Sequence, residues 1–219
     1  MSELLTLYSY WRSSAAYRVR IALNLKQIKY ALKPVHLLNQ GGEQRLPEFR
    51  EVNPQGLIPV LVDGERVIRQ SLAIMEYLDD TIPEHPLLPT AARDRARVRS
   101  LSLLIACDVH PLNNLRVLQY LENELQIDSA RREIWVRHWI HEGLHAFEEM
   151  VADHPSTSTY CEGEVPGMAD CCLIPQMYNA RRFHMDIAQY PTLQRIETAC
   201  LALPDFQQAA PEHQEDAPR

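Results

Sequence analysis

Two serines stand where a strand gives way to a helix, in the run Tyr10-Trp11-Arg12-Ser13-Ser14-Ala15-Ala16-Tyr17-Arg18-Val19-Arg20. A helix N-terminus presents backbone N–H groups without intrahelical partners and the positive end of the aligned peptide dipoles. A hydroxyl there can hydrogen-bond an anion, and a thiolate held there has a lowered pKa. The plainer reading is that Ser13 or Ser14 only caps the helix. The arginines of this run have no acid beside them, which favours an anion. Even so, Arg12 also reads as a surface loop cation, and Arg18 and Arg20 as solvent-facing.

Three further places carry chemistry. In Asn53-Pro54-Gln55-Gly56-Leu57-Ile58-Pro59-Val60-Leu61 a proline enters a strand, where it cannot donate to the ladder. Either the Ile58–Pro59 bond is cis and turns the Ile58 backbone outward as an edge for a peptide, or Pro59 is an ordinary edge-strand proline. Gln70-Ser71 opens another helix, and is a seat for a carboxylate or a plain cap. In Cys107-Asp108-Val109-His110-Pro111-Leu112-Asn113-Asn114-Leu115-Arg116, polar groups and a proline interrupt an apolar helix. Pro111 should kink it and gather His110, Asn113, Asn114 and Arg116 within two turns, unless these are a solvated face. Arg181-Arg182 ends a later helix, where cations also complement the dipole. His141-Glu142-Gly143-Leu144-His145 matches the zinc-protease pattern H-E-x-x-H, but Gly143 weakens the helix and no third ligand follows at a typical spacing, so no metal is expected.

The elements that must position these groups change character along the chain. Residues 4–8 read as a buried strand, 14–26 as a helix, 29–35 as a strand and 43–52 as a polar helical stretch. A hairpin of 58–62 and 66–68 turns at Asp63-Gly64, and a helix follows over 71–79. This β-α-β-α-β-β-α order is a small α/β domain over residues 1–81. Prolines 83, 86 and 89 exclude helix from a linker at 82–91. Helical periodicity then covers 92–125, 129–153, 168–182 and 192–202, so residues 92–219 read as an all-helical domain whose polar end from Pro211 is frayed.

Composition narrows the function. The net charge of −7 argues against a nucleic-acid binder, which needs a basic face, but leaves room for a small anion met by a few local arginines. No apolar run approaches a membrane span, and the first twenty residues lack a signal-peptide pattern. Five cysteines, an odd number with no C-x-x-C, read as reduced thiols in a cytoplasmic protein.

The serine run, the Ile-Pro and Gln-Ser elements and the helical second half together resemble a cytosolic glutathione transferase. The run from Tyr8 to Leu23, with Asn53-Pro54, Gln70-Ser71-Leu72-Ala73-Ile74, Leu87-Leu88-Pro89, Met168-Ala169-Asp170 and Arg182-Phe183 in family order, is similar to the zeta class. That class includes maleylacetoacetate and maleylpyruvate isomerases. The resemblance implies a thioredoxin-like N-terminal domain, an all-α C-terminal domain, a homodimer, and reduced glutathione as cofactor. It implies a catalytic role for Ser13, Ser14 and Arg12, with Ser13 holding the sulfur as thiolate. Glutathione contacts fall on Ser13, Gln44, Ile58, Gln70, Ser71, His110 and Asn114, and substrate contacts on Arg12, Asn113, Arg116 and Arg182, with Arg181 the lesser candidate.

The implied reaction adds the thiolate to a cis double bond conjugated to a ketone, allows rotation, and eliminates the thiolate. Its substrate is a small dianion, maleylacetoacetate, giving fumarylacetoacetate in tyrosine breakdown. The alternatives are maleylpyruvate, transferase or dehalogenase action on small α-halo acids, and a non-catalytic binding module. The sequence departs from the class at Ala15, where many relatives carry cysteine, and at Gly167, where a capping Ser or Thr is usual; the helix there is expected without its reciprocal box.

Overall fold

A computed structural model describes residues 4–218. The chain divides into two compact units, one running to Leu87 and completed by the segment from Ala202 onward, the other spanning Leu88–Leu201.

In the first unit, β1 (Leu5–Ser9), α1 (Ser14–Leu25) and β2 (Tyr30–Pro34) form a parallel pair with its crossover. After two 3-10 turns and the short α2 (Pro47–Val52) come the hairpin β3 (Val60–Asp63) and β4 (Arg66–Arg69), then α3 (Ser71–Thr81). The sheet order is β2-β1-β3-β4, with β3 antiparallel to β1. This is the thioredoxin-like arrangement. Leu7, Val19, Leu23, Leu61, Ile74 and Met75 are wholly buried. A second cluster gathers Tyr10, Val35, Phe49, Ile58 and Val60.

Two readings shift in detail. The 43–52 stretch is a 3-10 turn at Glu43–Arg45 followed by α2, because Pro47 fits the first position of a helix and not its middle. The strand begins at Val60 and not at 58, since Pro59 has no N–H for the ladder.

The linker is tied down in its first half. The buried Lys26 ammonium pairs with Asp79 at 3.0 Å and donates to the carbonyls of Glu84 (2.9 Å) and His85 (3.3 Å). Asp79 also accepts the Leu87 N–H at 2.7 Å.

The second unit is helical, but the pattern over 92–125 is not one helix. It runs as α4 (Ala92–Leu103), a π-helical turn (Leu104–Val109), a 3-10 turn (His110–Asn113) and α5 (Leu115–Asn123). Pro111 removes one rung of the ladder, and the chain restarts when Asn114 accepts the Arg116 N–H at 3.1 Å. Three further helices complete the unit: α6 (Ser129–Ala152), α7 (Met168–Arg182) and α8 (Pro191–Leu201). At the start of α7, Asp170 accepts the N–H groups of Gly167 (2.8 Å) and Cys161 (3.0 Å). Half of the box is therefore made after all, although Gly167 has no side chain to return the bond. Burial pushes the Asp170 carboxyl up, and these bonds oppose the rise. Buried Glu148 of α6 caps α8 by accepting from Thr192 and Leu193, both at 2.9 Å.

The chain end corrects the sequence reading. Residues 202–218 belong with the first unit, not the helical one, and Pro204–Ala209 form a further helix, α9. The segment is not frayed. Arg20 donates to the Ala209 carbonyl at 3.0 Å, Asn24 to the Asp205 carbonyl at 2.8 Å, and Asp216 accepts the Trp11 N–H at 2.8 Å. Arg219 lies outside the described residues. Among the described residues no helix is long and apolar enough to cross a membrane.

Gly143 of α6 faces the π-helical turn: a Cβ there would sit 2.0 Å from Cγ2 of Val109. Helix propensity alone favours alanine by about 1 kcal/mol. The overlap is with a buried, β-branched side chain and should outweigh it. Gly143→Ala is expected to destabilise by about 1–3 kcal/mol in denaturant unfolding. Adding Val109→Ala should recover part of that loss, so that the pair is not additive.

Candidate functional site

Ser13 is the N-cap of α1, in extended backbone (φ −70, ψ 116), and its Oγ accepts the Ala16 N–H at 3.2 Å. Because Oγ serves as acceptor there, its proton is left to donate outward. Ser14 is the first helical residue. Arg12, half-buried, lies with its guanidinium carbon 5.3 Å from the Trp11 ring centre.

Arg18 and Arg20 are not solvent-facing: both are essentially fully buried. Residues 16–23 of α1 are buried on every side, and a helix apolar all round leaves no wet face for an arginine. That pattern was the available signal. Arg18 donates from Nη1 to Oγ of Ser71 at 3.1 Å. With Ser71 Oγ accepting from below, its proton too is directed elsewhere. Arg20 donates to Ser9 Oγ (3.2 Å) and to the carbonyls of Tyr10 (3.4 Å) and Trp11 (3.0 Å). Burial lowers its pKa to about 10, with Tyr30, Tyr17 and Asp216 opposing. It therefore remains a cation at neutral pH.

A braced loop leads to Ile58. Asn53 donates to the Leu57 carbonyl at 2.6 Å and accepts the Gln55 N–H at 3.1 Å. The Gln55 side chain in turn accepts from Gln70 at 2.9 Å. The Ile58–Pro59 bond is cis. Gln70 holds φ 71 and ψ 122, a backbone conformation off the left-handed well that a side chain rarely adopts. Gln44 is buried, and its Oε1 has no hydrogen-bond partner among the described residues. Gly42 (φ 108) packs so closely on it that a Cβ would fall 2.6 Å from Gln44 Nε2.

In the second unit, the residues singled out around Pro111 meet those at the end of α7. Asn113 donates to the Val109 carbonyl at 3.0 Å and accepts from Asn179 at 3.3 Å. Asn179 accepts from Arg182 at 3.1 Å. A chain of amides thus runs from the π-helical turn to the Arg182 guanidinium, and Asn179 is a member the sequence did not single out. His110 Nε2 lies 3.3 Å from Asn114 Nδ2. Arg116 is exposed. Arg181 instead forms a two-point pair with buried Glu197 of α8 (3.1 and 2.5 Å).

The histidine pattern is taken up structurally. His141 Nδ1 lies 2.6 Å from the Tyr190 hydroxyl, and His145 pairs at the surface with Glu149 at 3.5 Å. Among the described residues no group of three or more metal-ligating side chains is gathered.

The first unit thus combines a thioredoxin-like sheet, a helix N-terminus at Ser13, a cis-proline loop and a polar pair at the start of α3. The glutathione S-transferase N-terminal domain model matches residues 12–81. The chain is 52% identical over 97% of its length to a probable maleylacetoacetate isomerase of Vibrio cholerae, 98% of which is covered. Among solved structures it is similar to a maleylpyruvate isomerase described as a bacterial glutathione S-transferase of the zeta class (TM-score 0.94, 41% identity, 97% of this chain and 100% of that one). It is equally similar to a maleylacetoacetate isomerase of Methylobacterium extorquens AM1 with bound malonate and glutathione (TM-score 0.94, 40% identity, 98% and 100% covered). The chain belongs to the zeta-class glutathione S-transferase family of maleylacetoacetate and maleylpyruvate isomerases.

Backbone strain at Gln70 has a direct test. Gln70→Ala and Gln70→Gly remove the same amide, but only glycine relaxes the positive φ. The glycine variant is expected to be the more stable of the two by roughly 1 kcal/mol in chemical denaturation, the relief exceeding glycine's entropic cost.

Proposed function

We propose that this chain is a glutathione-dependent cis–trans isomerase that converts maleylacetoacetate to fumarylacetoacetate. The observation that carries the reading is Ser13: its hydroxyl caps α1 as an acceptor and keeps its proton for an anion at the helix N-terminus. The site suits glutathione on its own terms. The unpartnered buried Oε1 of Gln44 calls for an N–H donor. The Ser71 hydroxyl and the start of α3 suit a carboxylate, with the Arg18 cation beneath. The Ile58 backbone, beside a residue that cannot donate, suits an extended peptide. His110 and Asn114 are further contacts implied by the family.

When bound, glutathione supplies the thiol that attacks the double bond and is returned unchanged. Ser13 donates to the sulfur and favours its thiolate, while the Ser14 N–H group and the dipole of α1 lower the pKa in the same direction. Arg12, Arg116 and Arg182 hold the two substrate carboxylates through their forked N–H groups. Asn113 and Asn179 fix the Arg182 fork, and the arginines offset charge that develops on the substrate oxygen. Maleylpyruvate, a dianionic cis-enone differing at one end, is the second reading, favoured by the equal likeness to a maleylpyruvate isomerase. A homodimer in the cytoplasm fits the family and the lack of a disulfide among the described cysteines.

The deciding experiment gives the protein each substrate separately, with and without catalytic glutathione, followed by ultraviolet absorbance. Isomerisation that needs glutathione and leaves free thiol undiminished is the expected result, and the faster substrate names the pathway. Thiol consumption points to conjugation, and no turnover with glutathione still bound to a binding role. Ser13→Ala should cut turnover by about 100-fold or more while changing glutathione affinity far less; equal losses in both would remove the thiolate role. Asn179→Ala is expected to raise KM for the dianion roughly tenfold, as loss of one charge-assisted bond does, and to leave KM for glutathione unchanged.

A further inference from the structure

We infer that the C-terminal segment, residues 204–218, is a positioning element for the loop that carries Ser13, acting through Asp216 and Arg20. The inference rests on the reading of Ser13 given above. Three residues separate the end of β1 from Ser13, and none of them lies in a strand or helix that would hold it. Their backbone is held by side chains instead. The Trp11 N–H is taken by Asp216 Oδ2 at 2.8 Å, and the Trp11 carbonyl by Arg20 Nη2 at 3.0 Å. The Tyr10 carbonyl accepts from the same guanidinium and also from the Ser13 N–H at 2.9 Å. Arg20 is in turn fixed by the Ala209 carbonyl, the last residue of α9.

The peptide two residues before Ser13 is thus clamped on both sides, and each clamp leads back to the chain's last segment. Asp216 is not a solvated tail residue. Its Oδ1 is buried without a hydrogen-bond partner among the described residues, and its charge faces the Arg20 cation. Moving the loop would carry the Ser13 hydroxyl with it, and displacements of about 1 Å at a reacting group lower rates by up to 100-fold.

The test compares full-length protein with Asp216→Ala, Asp216→Asn, a chain ending at Gln214, and Ser13→Ala. For each, kcat, both KM values, thermal stability, and the pKa of the bound glutathione thiol from thiolate absorbance are measured. Asp216→Ala and the truncated chain are expected to lower kcat by about tenfold to 100-fold. They should also raise the bound thiol's pKa, with KM for glutathione within about twofold of the parent. Asp216→Asn, which keeps an oxygen for the Trp11 N–H, should restore most of both. If the two disruptive variants lose thermal stability but keep the parent kcat and thiol pKa, the segment is merely structural and the inference fails while the role of Ser13 stands. If asparagine does not rescue, the hydrogen bond is not the agent and the inference fails in that form. If Ser13→Ala itself leaves the thiol pKa unmoved, the reading of Ser13 fails and the inference falls with it.

Discussion

The first unit is organised around a guanidinium with no exposure to water. Arg20 sits in the middle of α1, where an apolar side chain would ordinarily stand, and reaches four acceptors from two distant stretches of chain. Taking a cation out of water costs several kcal/mol, which is offset only when the geometry of its bonds is good. The Tyr17 ring, 5.3 Å from the guanidinium carbon, and the Asp216 charge add to that offset. An apolar residue could have filled the volume. It could not have fixed the end of β1 and the two loop positions that follow it, and the loop ends at Ser13. The charge is retained where backbone amides have no sheet or helix to satisfy them.

The second unit solves a related problem with close packing. Pro111 denies a regular helix through residues 104–113 one rung of its ladder. The π-helical turn and Pro111 break the register, and the break survives because Gly143 lets α6 approach Val109 where no other residue fits. Bulges of this kind concentrate at functional sites. Here the bulge supplies the Val109 carbonyl that anchors the amide chain ending on Arg182.

Much of this was legible in the sequence. Periodicity gave the element order, because each strand and helix of the first unit has one face in the core. The two N-terminal serines and Gln70-Ser71 stood out because they open helices, and Ile58-Pro59 because a proline enters a strand. What escaped reading depended on contacts far apart in sequence. Arg18 and Arg20 read as polar because hydrophobicity scales count the charge, whereas a helix buried all round was the stronger clue. The division of 92–125 was foreshadowed by Pro111 alone, and a π turn has no local signature. The tail read as frayed because it is polar; its order comes from partners some two hundred residues away, as with Trp11 and Asp216. His141 matched a metal motif in spacing, and only its 2.6 Å contact with Tyr190 shows how it is used.

The pairing of α9 and the tail with α1 and the first loop makes the N-terminal unit discontinuous in sequence. A growing chain delivers β1 to α3 first and the whole helical unit next, while the piece that closes the first unit follows both. Domains generally complete their folding in the order of synthesis. Here the order is inverted for one of them: the loop before α1 acquires its clamps only once Ala209 and Asp216 have followed the helical unit. A chain that has emerged only to the end of α8 would carry a whole helical unit beside a first unit whose loop before α1 still lacks its clamps.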